Sequence, residues 1–133
     1  MKLRSSLIAA LALAAGCASA ADLVVVANPA SATPLSKDQV ADIFLGKSQA
    51  LSPVDQAEGS ATYAEFYRKA TGRDVAQVKA TWARLVFSGK AQAPRQLPDS
   101  AAVKKAVAAD PKAVGYIEKS AVDSSVKVVL SLD

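Results

Sequence analysis

Leu23-Val24-Val25-Val26-Ala27 constrains the fold more than any other stretch of the chain. The run is short, unbroken in its apolar character and β-branched at its centre, the pattern of a strand covered on both faces. A strand with no face for water belongs in a layered structure, with helices above and below the sheet. Asn28-Pro29 ends the run.

Helical and strand patterns alternate after it. In Leu35-Ser36-Lys37-Asp38-Gln39-Val40, Ser36 can cap a helix, Gln39 can reach back as a capping box and Leu35 can staple to Val40. Val40, Ile43 and Phe44 then face inward, and Gly46 stops the helix. Leu51 to Gln56 reads as a short strand, pushed toward an edge by Pro53. Tyr63, Phe66, Tyr67 and Ala70 form the stripe of a second helix that Gly72 closes. Asp74 caps a third, in which Val75, Val78, Trp82, Leu85 and Val86 recur until Ser88-Gly89. Residues 90–98, with Pro94 and Pro98, read as a loop. Asp99 or Ser100 caps a fourth helix with Ala102, Val103, Ala106 and Val107 inward, closed by Asp110-Pro111. Strands at Val114 to Glu118 and Val126 to Leu130 finish the order β-α-β-α-α-α-β-β. The expectation is one three-layer α/β domain, a central mixed sheet of about four to five strands flanked by helices. Trp82, Tyr63, Phe66, Tyr67 and Tyr116 are expected in its core.

Ahead of the first strand, Lys2 and Arg4 precede an apolar stretch from Leu7 to Gly16 and the small-residue site Ala18-Ser19-Ala20. The stretch falls short of the roughly 20 apolar residues that span a bilayer. The pattern is that of a cleavable signal peptide over residues 1–20, leaving a domain over 21–133 for the periplasm. Cys17 after Ala14-Ala15-Gly16 offers a second, less favoured start as a lipid-anchored residue.

Composition then removes several chemistries. The chain has no histidine and one cysteine, and with cleavage after Ala20 that cysteine leaves with the leader. The usual zinc, copper and thiol ligands are missing, so neither a metal nor another cofactor is expected. Nucleophile-base pairs of the hydrolase kind are missing too. Ser124-Ser125-Val126-Lys127 has Ser-x-x-Lys spacing, but the serine should open a helix and here precedes a strand. Asp55 and Glu58 lack a cleft that would set them apart as acid and base, so no enzyme is expected. Of the net charge of +4, two units belong to Lys2 and Arg4. The remaining surplus, interspersed with acidic residues, reads as a mixed solvated surface and points to no nucleic acid.

Several segments together carry a family resemblance. They are Asp42-Ile43-Phe44-Leu45-Gly46-Lys47, Pro53-Val54-Asp55 leading to Gly59-Ser60-Ala61-Thr62 and Phe66, Val103 to Val107, and Pro111-Lys112-Ala113-Val114-Gly115-Tyr116-Ile117-Glu118. In this order they resemble the second lobe of the periplasmic phosphate-binding proteins of ABC transporters, in the type 2 periplasmic binding protein superfamily. Leu23 to Asn28 resembles the strand that opens that lobe. The resemblance covers nearly all of residues 21–133 but one lobe of a two-lobed family.

The resemblance implies an oxyanion site at the start of the second helix, where unpaired N–H groups and the positive end of the helix dipole meet an anion. Gly59, Ser60, Ala61 and Thr62 are its candidate residues, with Gln56 where the family has an arginine. Ala61 stands where the family has glycine, and Glu58 adds a negative charge nearby. Thr62 and Glu65 also spell an ordinary capping box. Phosphate or a similar oxyanion, held without a second lobe, would bind at roughly millimolar strength. The implied partners are an ABC permease, a membrane sensor, or a second copy of the chain that rebuilds the cleft. The alternative is an adaptor domain that kept the lobe fold and lost the ligand.

Overall fold

A computed structural model describes residues 22–31 and 33–132. The signal peptide read over residues 1–20, with Cys17, lies outside the described residues. The elements are β1 (Leu23–Ala27), α1 (Lys37–Phe44), β2 (Ser52–Gln56), α2 (Ala61–Thr71), α3 (Val75–Phe87), β3 (Arg95–Leu97), α4 (Ser100–Ala109), β4 (Ala113–Glu118), a 3-10 turn (Lys119–Ala121) and β5 (Lys127–Leu132).

The strands form one mixed sheet in the order β3-β2-β4-β1-β5. β1 runs antiparallel to both β4 and β5, with Val25 opposite Tyr116 on one side and Leu130 on the other. β2 runs parallel to β3 and β4. All five residues of β1 are buried, as an uninterrupted apolar run requires. Their side chains alternate between two cores. Leu23, Val25 and Ala27 join an aromatic core with Phe44, Phe66, Tyr67 and Trp82, contributed by α1, α2 and α3. Val24 and Val26 join an aliphatic core with Val103 and Val107 of α4. This is the expected three-layer α/β arrangement.

The aromatic face is interlocked. Phe66 stacks on Tyr116 at 3.8 Å between centroids, and Phe44 meets both edge-on. Trp82 Nε1 donates to the Phe44 carbonyl at 2.9 Å, which ties α3 to the end of α1. Gly46 then turns the chain at φ +80, where a Cβ would lie 2.4 Å from Leu85 Cδ1. On the other face a Cβ at Gly115 would lie 2.6 Å from Val103 Cγ1, so α4 sits closer to β4 than any larger residue allows.

Three details differ from the sequence reading. The 90–98 segment contains β3, whose three residues pair with Val54, Asp55 and Gln56 of β2 through the backbone alone. Its side chains are mostly exposed, so no apolar pattern announces it. β2 is therefore an inner strand, and Pro53 is tolerated because it pairs only with β4 while β3 begins opposite Val54. Val86, read on the inward stripe of α3, is instead 48% exposed, and Val78 and Trp82 carry the packing.

Candidate functional site

The link from β2 to α2 places all five candidate residues within one short stretch, but in two different environments. Ser60 is the N-cap of α2: its Oγ accepts from Tyr63 N–H at 3.1 Å and donates to the Ala57 carbonyl at 2.7 Å. Ser60 N–H bonds the same carbonyl at 2.9 Å, closing the turn. The hydroxyl is thus spent on holding the turn. Glu65 does not cap the helix and instead pairs with Arg68 and Lys69 at 2.9 and 3.3 Å, so the Thr62–Glu65 capping box is not formed.

The first two helical N–H groups, on Ala61 and Thr62, have no protein acceptor among the described residues. They start an eleven-residue helix, long enough to present the positive end of a macrodipole. Gly59 is exposed, and nothing lies within 4 Å of where its Cβ would be, so the approach to this turn is open. Glu58 beside it pairs with Lys79 of α3 at 3.2 Å, which offsets part of its charge.

Gln56 belongs to the interior. Its Nε2 donates to Ser100 Oγ and to the Tyr116 carbonyl, both at 3.0 Å. Its backbone N–H donates to Tyr116 Oη at 3.0 Å. These bonds fasten the end of β2 to β4 and to the start of α4, where β2 and β4 have ceased to pair.

Asp55 is the functional-looking residue that sequence reasoning passed over. Its carboxylate is buried at 2% exposure. Tyr67 Oη donates to its two oxygens at 3.0 and 2.9 Å, and Tyr116 Oη donates to Oδ1 at 2.9 Å. Tyr116 therefore relays between the Gln56 N–H and the Asp55 carboxylate. Burial pushes the Asp55 pKa up to about 7, the two tyrosine hydroxyls draw it back, and the charge of Glu58 adds to the rise. Burial, then the Asp55 and Glu58 charges, push Tyr63 up to about 12. The aspartate within a strand was visible in the sequence; its partners, 12 and 61 residues away, were not. Such a group can hold or release a proton near neutral pH. Among the described residues, no group of three or more His, Cys, Asp or Glu is placed to hold a metal ion.

Solved structures with this fold include those of phosphate transport receptors. An ABC-type phosphate transport receptor from Vibrio cholerae superposes with a TM-score of 0.63 at 21% identity, over 82% of this chain and 45% of its own. A protein described as a phosphate ABC transporter substrate-binding protein from Clostridium perfringens, with phosphate bound, superposes at 0.64 and 21% identity over 82% and 44%. PstS from Borrelia burgdorferi superposes at 0.56 and 12% identity over 83% and 47%. The chain spans less than half the length of each, and its fold is that of one lobe of such a binding protein. No protein-family profile matches the chain. No curated protein matches its sequence.

Proposed function

We propose that this chain is an exported binding lobe that holds phosphate or a similar oxyanion weakly at the start of α2. The observation that carries the reading is the pair of unpartnered N–H groups on Ala61 and Thr62, beside the open turn at Gly59. Ser60 and Gln56 act there as supports: Ser60 shapes the turn and Gln56 anchors the strand that leads into it. With Gln56 in place of an arginine and this one lobe holding the anion, binding of about 1 mM, or −4 kcal/mol, is the expected scale. That strength suits sensing or hand-over at a high local anion concentration better than scavenging. A permease or a membrane sensor remains the natural recipient.

Ala61→Pro tests the site without dismantling it. Proline is well tolerated at the first helical position, and Ser60 already has the extended backbone that precedes proline, at φ −83 and ψ 151. The substitution removes one anion-facing N–H. Phosphorus NMR line broadening of inorganic phosphate should weaken at least threefold in the variant, with stability within about 0.5 kcal/mol of the parent. Equal broadening in both proteins rejects the site. Export itself predicts that the mass of the protein recovered from the periplasm corresponds to a start at Ala21; an intact leader would contradict it.

A second reading is favoured by Asp55 and Gln56. A committed amide stands at position 56, where the resemblance calls for an arginine, beside a buried carboxylate at Asp55, which suits a domain that has exchanged its ligand for a protein partner.

A further inference from the structure

Away from the α2 turn, the end of α1 and the last turns of α3 flank an open cleft of about 810 Å³. Leu45, Leu85 and Phe87 provide its apolar surface, and Lys47, Arg84 and Lys90 its charge; among the described residues no acidic one lines it. Phe87 is 93% exposed and Val86 beside it 48%, an unusual display on a helix whose inward side is carried by Val78, Trp82 and Leu85. None of the three cations belongs to an ion pair among the described residues. One basic residue at a helix C-terminus answers to the dipole, and Arg84 suffices for that. Lys47 and Lys90 come from two other segments and converge on the same cleft.

We infer that this cleft binds a single-chain amphiphile with an anionic headgroup, of the fatty-acid class. The volume lies within the roughly 300–1,000 Å³ of small-molecule sites, which are walled by apolar side chains and oriented by a few polar groups. An alkyl chain covers Leu45, Leu85 and the ring of Phe87, and a carboxylate meets the three cations. A second copy of the chain is a poor occupant, because it would bring the same three cations against themselves.

The chain has one tryptophan, and Trp82 lies behind one wall of the cleft: its Cη2 would be 3.1 Å from a Cβ on the lining residue Gly46. Its fluorescence therefore reports on occupancy. The test titrates the full protein with laurate below its micellar concentration, with dodecyltrimethylammonium as a cation bearing the same tail and with phosphatidylglycerol vesicles. A saturable laurate response, at least tenfold weaker in the Arg84→Glu, Lys90→Glu variant and weaker in Phe87→Ser, is expected, with amide shifts confined to Leu45–Lys47 and Ala83–Lys90. All three substitutions are at exposed positions and leave the core intact. No laurate response, an equal response to the cationic amphiphile, or a response to vesicles alone overturns the inference.

Discussion

Asp55 and Ser60 stand five positions apart, yet one is locked inside the molecule and the other is finished by its own neighbours. The polar groups at the end of β2 are satisfied from α2, β4 and α4, across 12 to 61 residues of sequence. The Ser60 hydroxyl is satisfied within three. A buried carboxylate must be compensated by distant partners or remain protonated, whereas a surface cap needs only the next turn of backbone. The two regions should therefore respond differently to pH and to substitution.

The largest difference is expected in pH dependence. The folded pKa of Asp55 is raised from 3.8 to about 7, so between those values the folded state holds a proton that the unfolded chain has released. The stability from this group is full below about pH 4, falls as pH rises toward 7 and is flat above that; the loss is on the order of a few kcal/mol. In urea unfolding, Asp55→Asn should flatten this segment of the profile and make the variant the more stable protein at pH 8. An unchanged slope would place the titration elsewhere.

Next in size is Tyr116→Phe. It leaves the Gln56 N–H without its acceptor and Asp55 with one donor fewer, while the ring still stacks on Phe66. A loss of about 2 kcal/mol is expected from stranding buried polar groups. A loss below about 0.5 kcal/mol would mean that the network contributes nothing net. The smallest effect belongs to the surface turn: Ser60→Ala should cost about 1 kcal/mol, the same at pH 5 and pH 8, as the removal of a local cap. A pH-dependent loss would show that the turn and the buried network are coupled.

The same division governs what the sequence disclosed. Ser36 with Gln39, Asp74 and Asp99 cap helices in the structure as their residue types and spacing indicate, because a cap is decided within one turn. β1 was legible because burial on both faces leaves an unbroken apolar run. β3 was not, since its stability comes from parallel pairing with β2 and its side chains carry no pattern. At the candidate site the helix start was readable from Gly59 to Thr62. The inward commitment of Gln56 and the tyrosine cage of Asp55 depend on β4, which joins β2 only after the chain has folded. Val86 misled because helical spacing alone does not tell which side of the last α3 turns the neighbouring helices cover, and Val86 is left on the open side.

The most direct test of the functional account is an amide NMR titration with phosphate and, separately, sulfate at fixed ionic strength. The account predicts saturable shifts centred on Gly59, Ala61 and Thr62 with a midpoint of about 1 mM, while Tyr67 and Tyr116 stay still. No localised shift up to tens of millimolar, some tenfold beyond that midpoint, would contradict it and leave the lobe as a domain for a protein partner.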